Sequence, residues 1–300
     1  MRNINAVPTV EQTVEVACPG FDWDLSLRRP ETHEALARRF GVVRPPIGYA
    51  RYAGTVAHRA VEDQFLTDIG APVGYSARLT NSGMSAITTA FRSTFGYWKP
   101  RQNLCAVSNI VYGDTMYSLT RRWIWSDARF DSRLANDIAV ANSADVGNII
   151  QKMEGTNSVL FFETIGNGKG MPVLDLENLM RRIWDTDCIL VLDNTFLTCA
   201  LLNPFVIMDC LETEIGHSRT FTFVYVESLS KYYRADTEDH DPGGIIVASE
   251  KFIGLCDDEL QNGGVMANSV LRKFPFSLFD ACSRVMLPLS ENASAAADFL

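Results

Sequence analysis

An α/β fold, with a mostly parallel sheet covered by helices on both faces, is the class this sequence predicts. Two observations lead to it. Short apolar runs at 104–107, 158–163, 188–193, 221–226 and 244–248 recur between helical stretches. They are continuously rather than alternately apolar, the pattern of strands buried on both sides. In addition, three runs end in polar residues: Glu163, Asp193-Asn194, and the stretch from Glu227 to Lys231. Polar strand ends matter because the carboxyl edge of such a sheet is where ligands bind.

Residues 1–60 are rich in Pro, Gly and charge, with one helical stretch near 31–40, and read as an extended arm. A helical stretch at 60–69 leads to a short strand over 74–79. There Thr80-Asn81-Ser82-Gly83 signals a turn that opens the small-residue helix beginning at Met84. A strand-like segment from Ala106 to Val111 ends at Tyr112-Gly113. Asp114 follows and is the expected cap of a helix beginning Thr115-Met116-Tyr117, the other reading being contact with a polar or cationic substrate group. The acidic stretch 236–241 is a loop closed by Pro242-Gly243-Gly244. Around Leu287 and Pro288 a turn is expected, then the start of an Ala-rich helix. The organisation is therefore an arm over 1–60, a ligand-binding domain over 61–285 and the start of an incomplete C-terminal domain over 286–300.

Composition excludes several classes. With 27 basic against 36 acidic residues the formal charge is −9, which opposes non-specific attraction to nucleic acid or anionic lipid. Basic residues meet only in pairs such as Arg121-Arg122 and Arg181-Arg182. No apolar stretch has signal-peptide or membrane-helix length, so a cytoplasmic location is expected. Seven scattered cysteines and four dispersed histidines lack zinc-site spacing, so buried thiols and no metal site are expected. Neither GxGxxG nor GxxxxGK[ST] is present.

Lys231 poses a question of placement, because an ammonium at the end of an apolar run is rarely buried without a partner. A carboxylate leaving a buried strand needs a cation or donor as well, which makes Asp193 and Lys231 two ends of one site. Ser82, Gly83 and Met84 head a helix, where unpaired N–H groups and the dipole favour an anion such as phosphate. Ser228 and Ser230, two apart in an extended segment, point the same way and could complete that cradle. Tyr112 could lie on a flat ligand, with Gly113 allowing close approach. Taken singly, each has a plainer reading as a cap, a solvated strand end or a core tyrosine. Together they describe a site for one flat phosphorylated cation, and pyridoxal 5'-phosphate is such a ligand.

In this order the residues resemble the Cys/Met-metabolism, or trans-sulfuration, family of pyridoxal-phosphate enzymes, which includes cystathionine γ-synthase, cystathionine lyases and methionine γ-lyase. Tyr49-Ala50-Arg51 is similar to the family's Tyr-x-Arg, which reaches the cofactor phosphate of a neighbouring subunit. Ser82-Gly83-Met84 matches the phosphate turn and Tyr112-Gly113 the stacking tyrosine. The segment from Glu163-Thr164 to Asn167 matches the one whose asparagine approaches the ring hydroxyl. Asp193-Asn194-Thr195-Phe196 and Ser228-x-Ser230-Lys231-Tyr232 match two further motifs, Thr195 counting among the cofactor-binding residues. The prolines expected near Asn167 are replaced by Ile165 and Gly168, and Ala53-Gly54-Thr55 stands where Asn-Pro is usual.

The resemblance implies the aminotransferase-like type I fold, with 61–285 as the cofactor domain. It implies a Schiff base on a desolvated Lys231, with Asp193 keeping the pyridine nitrogen protonated. Tyr112 would stack and serve as acid or base at the leaving group. Shared sites imply a homodimer or homotetramer. The implied reaction is elimination or replacement at Cγ of an amino-acid substrate, by a lyase or transferase. The alternatives are a β-elimination lyase or a non-catalytic relative, and another nucleotide-binding α/β enzyme would be colourless.

Overall fold

Strands that are apolar at every position have to lie between two layers of helix, and the computed structural model arranges them so. It describes residues 56–97, 107–126, 134–140, 145–153, 157–233, 242–260, 264–271 and 274–299. Tyr49, Arg51 and the acidic loop 236–241 lie outside these residues. The chain runs α1 (Val56–Asp68), β1 (Tyr75–Thr80), α2 (Gly83–Tyr97), β2 (Val107–Gly113), α3 (Ser118–Ser126), β3 (Leu134–Val140), α4 (Val146–Lys152), β4 (Ser158–Glu163) and α5 (Leu176–Ile183). It continues through β5 (Ile189–Asp193), α6 (Thr198–Leu201), α7 (Pro204–Ile215), β6 (Thr222–Ser228), β7 (Gly244–Ser249), α8 (Glu250–Leu260), α9 (Asn268–Leu271) and α10 (Leu278–Phe299).

The strands form one seven-stranded sheet in the order β1-β7-β6-β5-β4-β2-β3. From β6 to β3 all neighbours are parallel, while β7 runs antiparallel to both β6 and β1. The expected mostly parallel sheet is therefore present. Every residue of β4 and β5 is buried. Because side chains alternate along a strand, the two sheet faces carry separate cores. Leu160, Phe162, Leu190, Leu192, Phe223 and Tyr225 pack with residues of α1, α5, α7 and α10. Val159, Phe161, Ile189, Val191, Val224 and Val226 pack with α2 and α8. Each fully buried side chain of this size contributes about 2 kcal/mol.

Two elements depart from expectation. β3, the far edge strand, carries Asn136 and Asp137 and so shows no continuous apolar run. At the other end, the turn expected near Pro288 is absent, since α10 is helical throughout with that proline inside it. A proline removes one helical N–H. Here Leu278, Cys282 and Met286 hold the preceding turns in the core, and the alanines that follow favour helix. No break in secondary structure marks the expected boundary at residue 285. Among the described residues, no helix is long and apolar enough to cross a membrane.

Candidate active site

At the carboxyl edge of the sheet, β4 and β5 end in step, with Glu163 opposite Asp193, while β6 runs two residues past Val226, the partner of Asp193, to Ser228. A cavity of about 460 Å³ opens over these ends, within the size range of small-molecule sites.

One wall is the start of α2. Ser82 Oγ accepts the N–H of Ser85 at 3.0 Å and so caps the helix. Gly83 and Met84, whose amides have no carbonyl one turn back, border the cavity beside it. Opposite them, Ser228 Oγ and Ser230 Oγ lie 2.9 Å apart, and both residues border the cavity. Gly83 makes this approach possible: a Cβ there would stand 2.6 Å from Ser228 Cβ. A Cβ at Gly244 would meet the Ser82 carbonyl oxygen at 2.5 Å, so the start of β7 must also be bare for the turn to cross it. Hydroxyls and helix-head amides converging from two elements make an anion cradle.

The far wall is acidic. Asp193 is 7 % exposed, and its Oδ1 accepts both the N–H (2.9 Å) and the hydroxyl (2.6 Å) of Thr195, leaving Oδ2 for the cavity. Thr195 Oγ1 also accepts the N–H of Ser228 at 2.9 Å, tying the ends of β5 and β6 together. Glu163 Oε1 accepts the Tyr117 N–H at 2.6 Å, and its Oε2 accepts from Asn167 Nδ2 at 3.1 Å. Burial raises the Asp193 carboxyl above its ordinary range. Burial, followed by the neighbouring Asp193 charge, pushes Glu163 up to about 8.

Glu163 holds a proton in the folded chain that the unfolded chain releases above about 4.5. Its contribution to stability is thus complete below that value and is lost as pH rises through about 8. We expect the melting temperature of the cofactor-free protein to fall across this interval. A flat or rising profile would contradict the buried pair.

Lys231 borders the same cavity, in the turn three residues beyond the end of β6. It is exposed rather than desolvated, because it stands clear of the last paired strand residue. Asn167, Thr195 and Phe196 also border the cavity. Tyr112 does not. In β2 it pairs with Phe161, which pairs with Val191, so it stands one pleat below Asp193. Its ring is 2 % exposed in the core beneath α2. The tyrosine that reaches the cavity is Tyr117, 42 % exposed, its N–H held by Glu163. Asp114 does not cap the next helix: that donor goes to Glu163, α3 begins at Ser118, and Asp114 Oδ1 is buried without a partner among the described residues.

Sequence reasoning thus missed Tyr117, Glu227, Ile87 and Tyr232 as cavity residues. Glu227 was visible as a polar strand end. Tyr117 carried no signal of its own, since its placement depends on how far β2 extends.

The model of a family described as "Cys/Met metabolism PLP-dependent enzyme" matches residues 37–210. No curated protein matches the chain. Among solved structures, MetB from Corynebacterium glutamicum is 21% identical with a TM-score of 0.62, over 86% of this chain and 59% of that one. Cystathionine gamma synthase from Xanthomonas oryzae pv. oryzae in complex with cystathionine is 20% identical with a TM-score of 0.59, over 84% and 57%. Its complex with aminoacrylate and cysteine is 19% identical with a TM-score of 0.58, over the same shares. The chain therefore spans less than two thirds of the length of these structures.

Proposed function

The chain belongs to the Cys/Met-metabolism family of pyridoxal-phosphate-dependent enzymes and has their type I fold, and from that premise we propose that it catalyses elimination or replacement at Cγ of an amino acid, with Lys231 as the residue that binds the cofactor. Pyridoxal 5'-phosphate is the cofactor this membership implies. The observation that carries the reading is the gathering of a primary amine, an anion cradle and a buried carboxyl around one cavity.

The residues fit the group. Its phosphate suits Ser82, Gly83, Met84, Ser228 and Ser230, and its pyridine nitrogen suits Asp193, whose Oδ2 accepts from none of the described residues. Asn167, held by Glu163 at the border of the same cavity, is the residue for the ring hydroxyl. When bound, the cofactor supplies an aldehyde that condenses with amines and a ring that takes up electrons from Cα. Lys231 Nζ would hold that aldehyde and would carry a proton to and from Cα of the substrate. Asp193 holds the proton on the ring nitrogen. We assign the aromatic wall, and proton transfer at the leaving group, to Tyr117 rather than to the core residue Tyr112. Tyr49 and Arg51 of a second copy complete the phosphate site in this proposal, which makes a homodimer the smallest active unit and a homotetramer its larger form. A cytoplasmic location belongs to the same proposal.

Product analysis with cystathionine tests the reaction. Cysteine with 2-oxobutyrate is expected; homocysteine with pyruvate would move the chemistry to Cβ.

A further inference from the structure

Along β6, Phe223, Tyr225 and Glu227 alternate with Val224 and Val226, so Glu227 shares the face that packs against α7 rather than the face of Asp193. It is 1 % exposed. A carboxyl in that position is expensive, and no arginine or lysine pairs with it among the described residues. Its partners are two phenols: the Tyr225 hydroxyl donates to Oε2 and the Tyr233 hydroxyl to Oε1.

The two bonds are not equivalent. Tyr225 and Glu227 lie on the same strand, so their bond ties the strand to itself. Tyr233 lies beyond the turn, and Ser228, Ser230 and Lys231 all stand between it and Glu227. The bond from Tyr233 therefore closes the loop that carries the lysine and both cradle hydroxyls. Inside that loop Leu229 is buried, and its N–H donates to the Gly243 carbonyl at 2.9 Å. The exposed Lys231 is thus mounted on a turn anchored from beneath at both ends.

We propose that Glu227 is a positioning residue for Lys231, its carboxyl stapling Tyr233 to the end of β6 so that the lysine stays over the cavity. The inference rests on the reading of Lys231 as the cofactor-binding residue, and the test separates the two.

Pyridoxal phosphate is titrated into wild type, Tyr225→Phe, Tyr233→Phe, Glu227→Gln and the Glu227→Gln/Tyr233→Phe double variant. Affinity is followed by absorbance, and the share of bound cofactor fixed to Lys231 by borohydride is measured by peptide mapping. Each tyrosine variant loses one buried bond to the same carboxyl, so both melt at similarly lowered temperatures. Tyr233→Phe weakens affinity about tenfold and lowers the fixed share, whereas Tyr225→Phe keeps affinity within about twofold and leaves the fixed share unchanged. Glu227→Gln behaves as Tyr233→Phe, and the double variant is no worse than either single one. If Glu227→Gln does not fold, the two tyrosine variants decide alone. Equal cofactor effects in Tyr225→Phe and Tyr233→Phe would reduce the cluster to core packing and overturn the proposal. Failure of wild type to fix the cofactor at Lys231 would instead overturn the reading beneath it.

Discussion

Lys231→Ala loses turnover to background, at least about 10⁴-fold, and no longer fixes pyridoxal phosphate to the protein on borohydride treatment. The cavity has other donors, but among the described residues Lys231 is the lysine that borders it, and none of the hydroxyls around it can replace a primary amine in condensing with an aldehyde. The variant should still bind the cofactor, more weakly, because Ser82, Gly83, Ser228 and Asp193 are untouched. It should also fold normally. Lys231 is exposed, and removing an exposed side chain changes stability by about 0.5 kcal/mol or less. Loss of turnover with an unchanged melting temperature is the expected pair of results, checked by product assay and calorimetry. A variant that kept its turnover would remove Lys231 from the chemistry.

Asp193→Asn separates charge from shape. The side chains have nearly the same volume, and an asparagine oxygen can take over the role of Oδ1 in accepting the Thr195 N–H and hydroxyl. The amide NH₂ then replaces Oδ2 in facing the cavity, a donor set against the N–H of a protonated ring. Turnover is expected to fall about 10³-fold, in the range for groups that stabilise transition-state charge. Stability moves the other way. Burial already holds the Asp193 carboxyl above its ordinary range, with Glu163 beside it, so a neutral side chain relieves the desolvation of a charge at neutral pH. The cofactor-free variant should melt at or above the wild-type temperature at pH 8. A marked drop in melting temperature with turnover intact would make Asp193 a structural residue.

The parts of this molecule that could be read from sequence are those fixed by neighbouring residues. β4 and β5 were legible because burial on both sides demands apolar side chains at every position, and their last residues, Glu163 and Asp193, stood out for the same reason. Ser82 before Gly83 is a local cap signal, and Ser228, Ser230 and Lys231 lie within four consecutive residues. β3 was hidden because an edge strand tolerates polar residues such as Asp137. Pro288 signals a turn locally, yet packing of the preceding helical turns overrides it.

Tyr112 and Tyr117 show a different limit. Which tyrosine borders the cavity depends on the register of β2 against β4, a long-range fact that no short motif encodes. The burial of Glu227 belongs to the same kind. Its alternation with Val226 could be read, but the two phenols that meet it lie on either side of it in the chain and come together only through the turn. Asp114 was given a cap that Glu163 supplies from another strand.

The proposed chemistry depends on a covalent bond between the cofactor aldehyde and one lysine. Borohydride reduction of the cofactor-loaded protein, followed by proteolysis and mass spectrometry, tests it directly. A pyridoxyl group is expected on the peptide containing Ser228, Ser230 and Lys231. A pyridoxyl group on another lysine such as Lys169, or none at all on a protein saturated with pyridoxal phosphate, would contradict it.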